Sequence, residues 1–322
     1  MSLDVRRPSR PSRPSRQPRE ARDGVWLPRW FWPSFALPGV LWLALLFLLP
    51  LYAVLAIAFG TVDPIFQDPV PVWNPLQWDP SQFRVIFSHL VGAHGFLGPP
   101  LARTFVYVAA ALALCLLIAY PVAYFVARYG GRRKGLFLVL LIAPFWISYM
   151  MRMLAWVNLL EPDGYVNRVL RWLHLVARPV DWLSGRPLTV ILGLVYGYIP
   201  YMVLPLFAGL DRVDPSLLEA ARDLGASRTR AFLRVTLPLS WPAILAGSVI
   251  VALPMFGDYF TNDMLSASPH TAMLGNLIND AVGTPGQGTQ GAALVVLLMV
   301  LLLVPMLYYV AATQRASQAR ER

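Results

Sequence analysis

The chain has 322 residues, 57% hydrophobic and only 14% charged, with a formal net charge of +10. A soluble domain of this size needs more charge to cover its surface, so that class is excluded. The positive excess is not a nucleic-acid footprint either, because no basic module interleaved with aromatic residues is present.

In chain order, the Arg-Pro-Ser repeat from Arg7 to Arg16 is too biased in composition to bury a core. It predicts a disordered basic tail over residues 1–34. A targeting role is the other reading of this tail, but no cleavable signal pattern follows it. Six apolar stretches are then long enough to cross a bilayer as helices. They are Phe35–Phe59, Thr104–Ala127, Leu136–Leu160, Leu188–Leu210, Leu239–Phe260 and Gly291–Thr313. The expected fold class is therefore all-α and polytopic, with a membrane domain over residues 35–313 and a short tail over 314–322. Every span contains proline, among them Pro121, Pro144, Pro200, Pro242 and Pro305. Such residues kink a helix and are frequent in membrane helices, whether or not they serve a pathway. Asp63–Pro100, rich in proline and aromatics, reads as an ordered external loop, and Tyr165–Leu175 as a short amphipathic helix.

Of 27 basic residues, 20 fall in the N-terminal tail, the second–third loop, the fourth–fifth loop and the C-terminal tail. Positive loops stay in the cytoplasm, so both termini are expected there. The bilayer, with its anionic headgroups, is one partner that this charge implies. Cys115, the single cysteine, lies in the second span and reads as an apolar packing residue. His89 and His94 are five apart with no further ligand nearby, so no metal site is expected.

The cytoplasmic loop 211–238 carries the most information. Asp214 is a good N-cap and Pro215 suits the first helical position. A short helix is predicted over Ser216–Leu224, ended by a left-handed Gly225, with Leu217, Ala221 and Leu224 as an apolar stripe. Ser227 then caps a second helix, Arg228–Thr236, which Pro238 ends. This compact knob buries too little to be stable alone and is expected to dock, either on lipid headgroups or on a protein.

The run Glu219-Ala220-Ala221, three residues, Gly225, nine residues, Val235-Thr236-Leu237-Pro238 resembles the signature loop of importer-type ABC transporter permeases. Val235 stands where that pattern has isoleucine. Leu217–Ser227, Gly193–Leu206, Ala143–Arg152 and Thr104–Arg128 are similar to the polyamine (spermidine/putrescine) permeases of that family. The resemblance covers most of residues 100–312. It implies a type I importer fold, with six spans and a coupling helix seated in a groove of an ATPase subunit. Glu219 makes the polar contact, Ala220 and Ala221 allow close approach, Gly225 turns the chain, and Leu224, Leu237 and Pro238 complete the loop. The partners implied are a dimeric ABC ATPase, a second homologous permease and an extracytoplasmic substrate-binding protein. The complex would move a small-molecule substrate across the bacterial cytoplasmic membrane. ATP and Mg are expected on the ATPase and no cofactor in this chain. The sole lysine, Lys134, sits in no Walker A loop, so the chain is not expected to hydrolyse ATP. A permease for ferric iron, a sugar or an opine is the alternative within the class. A stand-alone channel or secondary carrier is the alternative outside it.

Ionisable residues within spans mark candidate pathways. Asp258 and Asp263 at the outer end of the fifth span, with Tyr259, Phe260, Trp146, Tyr149 and Tyr196, would suit a cationic substrate through carboxylate pairing and cation–π attraction. The same carboxylates also suit a helix cap or headgroup water. Arg152 either lines the path or pairs with an acid such as Glu161 or a neighbouring subunit's carboxylate.

Overall fold

The computed structural model describes residues 31–91 and 97–321, so the N-terminal repeat and His94 lie outside the described residues. The chain falls into two units, Met1–Pro50 and Leu51–Arg322. The described part of the first unit is helical throughout. It belongs to α1 (Phe31–Ala58), which carries Pro38 and Pro50. Nearly every side chain from Phe35 to Leu49 is exposed. A helix apolar all round and exposed has lipid or another membrane helix for its surroundings.

The second unit opens with a small ordered loop. Strands β1 (Thr61–Val62) and β2 (Pro69–Val70) pair antiparallel, Thr61 opposite Val70. Phe59 stacks on Trp78 at 4.7 Å, and helix α2 (Ser81–Val91) follows. Then come α3 (Gly98–Tyr129), α4 (Lys134–Ile142), α5 (Tyr149–Leu160) and α6 (Tyr165–Trp172). After α7 (Pro187–Asp211) the knob that joins the fourth and fifth spans holds α8 (Pro215–Asp223) and α9 (Arg228–Ala231). The remaining helices are α10 (Leu237–Phe256), α11 (Phe260–Leu265), α12 (Leu274–Gly283) and α13 (Gly288–Glu321).

Helices α3, α7 and α10 form the centre of this unit. Ala111, Cys115, Ala119 and Ala123 recur every four residues along α3 and are fully buried, giving α7 a smooth face to lie against. Without a hydrophobic force between helices in lipid, such small residues are what permit tight packing. Cys115 is buried as expected, its Sγ 3.8 Å from the Val195 carbonyl. Gly209 brings α7 against α10 so closely that a Cβ there would lie 2.2 Å from that of Ala243.

Among the described residues, five helices are long and apolar enough to cross a membrane, or six where one bent pair is counted as a single span. That pair corrects the expectation of one continuous third span over Leu136–Leu160. Residues Gly131–Trp146 and Tyr149–Trp172 meet at 83°. Pro144 lies in a tight 3₁₀ turn, Ala143–Trp146, and Ile147 and Ser148 are extended. The fifth span also ends earlier than predicted. It stops at Phe256, and Gly257–Tyr259 link it to α11. Pro121, by contrast, sits inside an unbroken helix.

Candidate functional site

The knob between α7 and α10 is built as its residues dictate. Asp214 Oδ1 accepts from the Ser216 backbone N–H at 2.9 Å, and Pro215 opens α8. That backbone bond is the main reason the Asp214 carboxyl is held below the usual carboxylate range. Gly225 closes the helix at φ +85°. Its N–H donates to the Arg222 carbonyl at 2.8 Å, and the Ala226 N–H to that of Ala221 at 3.0 Å. Ser227 Oγ accepts from the Arg230 N–H and starts α9.

One boundary differs. Pro238 does not end the second helix. A π turn over Phe232–Thr236 carries α9 straight into α10, so Leu237 and Pro238 begin the fifth span. The wider turn leaves room for proline in its first helical turn, where no N–H is required.

The knob is fastened to the membrane domain at four points. Leu218 and Val213 are buried, and Arg128 Nη1 donates to the Val213 carbonyl at 2.9 Å. Lys134 pairs with Asp211 at 2.5 Å. The Phe232 ring stands edge-on to Tyr120 and Tyr124 at 5.9 and 5.7 Å. The knob is thus in packed contact with the membrane domain. What remains outside is the opposite face. Glu219 and Ala220 are exposed, Leu217 is 46% exposed and Leu224 89%. Leu218, absent from the predicted stripe, takes the inward face, so Leu217 and Leu224 are left facing out.

The second cluster lies where the two broken helices meet α7. Asp258 is 8% exposed. Its Oδ2 accepts from the hydroxyls of Tyr198 at 3.0 Å, Thr261 at 2.8 Å and Tyr149 at 3.3 Å, and its Oδ1 from the Thr261 N–H at 2.9 Å. The expected helix-capping role is thus realised at the start of α11. Gly193 and Gly197 make room on α7, since a Cβ on either would strike Thr261 and Leu265 or the Tyr149 ring.

Arg152 is 7% exposed, and its guanidinium lies over Phe145 at 4.5 Å, Tyr149 at 5.3 Å and Tyr196 at 5.7 Å. Among the described residues it makes no ion pair, so the expected partnership with Glu161 is not formed. Asp263 does not join Asp258 on one set of partners. Its carboxylate accepts from Asn276 Nδ2 at 2.6 Å, which turns it toward α12. The Phe260 ring lies 5.8 Å from that of Tyr149, whereas Tyr259 contributes its carbonyl to Asn276 and Trp146 is 80% exposed. Sequence reasoning missed Phe145 and Thr261. Thr261 was open to detection, because an Asp three residues before a Thr or Ser at a helix start is a capping pattern.

A polytopic helical domain with a capped, exposed loop helix between spans has the architecture of the type I ABC permease fold. Residues 119–318 match the binding-protein-dependent transport system inner membrane component family, and the chain belongs to it. It is 39% identical over 164 residues to the spermidine/putrescine transport system permease protein PotB of Escherichia coli, covering 51% of this chain and 59% of that one. With the protein of that name from Haemophilus influenzae it shares 32% identity over 240 residues, 74% of this chain and 78% of the relative. A bacterial alginate ABC transporter, crystallised with an alginate pentasaccharide-bound periplasmic protein, superimposes with a TM-score of 0.68. The identity is 18%, over 89% of this chain and 95% of that one, a likeness in fold.

Proposed function

We infer that this subunit translocates polyamines of the spermidine/putrescine class by alternating access, driven by a separate ATPase. The observation that carries the substrate is the 32% identity with a spermidine/putrescine permease across 74% of the chain. The buried carboxylate among tyrosines supports it, since such a set suits an ammonium group.

The outward face of α8 supports the coupling. Leu217 and Leu224 are exposed there beside Glu219 and Ala220, which leaves this face open to a partner. An ATPase dimer closing on ATP and Mg would press Glu219, Ala220 and Ala221. The four fastenings would pass that displacement into α3, α7 and α10. A second permease and an extracytoplasmic binding protein complete the assembly, and both termini lie in the cytoplasm.

Two measurements test this reading. The complex, reconstituted with the ATPase and binding protein of its operon, is expected to accumulate labelled spermidine or putrescine in preference to ferric iron, sugars or opines. Ala220→Cys and Ala221→Cys are expected to crosslink to the ATPase in cells. Selective uptake of another solute overturns the substrate, and absent crosslinks with vanadate-insensitive flux return the chain to the channel or carrier class.

A further inference from the structure

Arg152 occupies an unusual seat. Its guanidinium is buried among Phe145, Tyr149 and Tyr196, yet its Nε and Nη1 have no hydrogen-bond partner. A buried cation normally has a carboxylate or carbonyl for each donor, and here the rings supply attraction without acceptors. The rings are themselves braced. Phe145 lies 5.8 Å from Tyr196, Trp156 stands edge-on to Tyr196 at 5.4 Å, and Tyr149 contacts Phe260 at 5.8 Å. The seat is therefore a preformed aromatic cage, and its present occupant fits it poorly.

A carboxylate stands next to the cage, on the far side of one of its walls. Tyr149 presents its ring to Arg152 and its hydroxyl to Asp258. A primary ammonium in the cage would find the same ring faces, with three compact donors in place of the planar guanidinium fork. The guanidinium, held on the side chain of α5, leaves two of its own donors unmet.

We propose that Arg152 is a tethered stand-in for the substrate. It fills the cage of Phe145, Tyr149 and Tyr196 while the site is empty and gives it up to an ammonium group of the solute. This rests on the polyamine reading and adds to it the cage and the resident competitor. The two arrangements keep one cation in the cage. An ammonium-free solute of equal length gains nothing from displacing the arginine. The break at Ile147 and Ser148, directly before α5, is where the backbone is free to adjust as the side chain leaves.

The test is the half-saturating spermidine concentration for uptake by the reconstituted complex. Arg152→Gln removes the competitor and is expected to lower that concentration by roughly tenfold. Phe145→Leu removes a wall and is expected to raise it, and adding Arg152→Gln to Phe145→Leu is expected to bring back much less than tenfold. A higher or unchanged value for Arg152→Gln overturns the proposal, since a structural or guiding arginine gives that result. Should Arg152→Gln fail to assemble, Arg152→Met carries the same test. It also removes the tethered cation, and the half-saturating concentration must fall for the proposal to stand. A wild-type complex that takes up no polyamine sinks the substrate reading and the cage together. Uptake by the wild type with no shift in the variant sinks the cage alone.

Discussion

Gly225 gives the sharpest handle on coupling, because its role can be separated from stability. Its φ of +85° is a conformation that a side chain disfavours, yet a Cβ there would meet nothing within 4 Å. Gly225→Ala therefore adds no clash. It changes only the backbone preference, by about 1–2 kcal/mol for a left-handed L-residue. That lowers the population of the turn relative to its alternatives by roughly five- to thirty-fold. Gly225→Pro goes further: it fixes φ near the helical value and deletes the N–H that donates to Arg222. The turn then cannot form, and α8 is aimed elsewhere. The assay is initial uptake in proteoliposomes, measured beside ATP hydrolysis and beside thermal unfolding of the purified complex. Gly225→Ala should lower uptake by up to the stated factor and Gly225→Pro should abolish it, with membrane insertion and melting temperature at wild-type values. Normal uptake by Gly225→Pro would refute the reasoning. So would a Gly225→Ala complex whose stability falls in step with its transport, because the glycine would then act through the fold.

Three further outcomes are expected. Glu219→Lys, on the exposed face of α8, should abolish uptake while the protein accumulates in the membrane as before; retained uptake shows that this face makes no polar contact with the ATPase. Gly209→Ala should destabilise the α7–α10 packing by roughly 1–3 kcal/mol, read as a lower unfolding temperature in detergent. Ala243→Gly in the same chain should restore it, because the overlapping atom at 2.2 Å is that alanine's Cβ. Asp258→Asn keeps the size but loses the charge that four donors converge on, and should weaken both polyamine uptake and thermal stability. An unchanged half-saturating concentration removes Asp258 from the pathway and leaves it a cap.

The knob was legible because its signals are local. Asp214-Pro215, Gly225 and Ser227 act on neighbours within three residues, and the structure places each of them where capping chemistry puts it. The error at Pro238 has an equally local cause: a proline ends a helix only when the preceding turn has no slack, and the π turn at Phe232–Thr236 supplies it. The broken third span was not legible from Pro144 alone, since Pro121 occupies an intact helix. Only the extended backbone at Ile147 and Ser148 distinguishes the two. Asp258 illustrates the harder limit, because its hydroxyl donors Tyr149 and Tyr198 lie 109 and 60 residues away in sequence. Yet the meeting place had left a mark. Gly193 and Gly197, four apart on the fourth span, are the positions where a Cβ would collide with Thr261, Leu265 and Tyr149. Small residues at that spacing let another segment approach a membrane helix closely. Here the segments admitted are the start of α5 and the whole of α11, each beside a helix break. A small-residue pair on a continuous span, together with two other spans that carry proline and a charge, thus points to where interrupted helices converge. The charges at that point are Arg152 and Asp258, and the cluster they form is held open by the absence of two side chains.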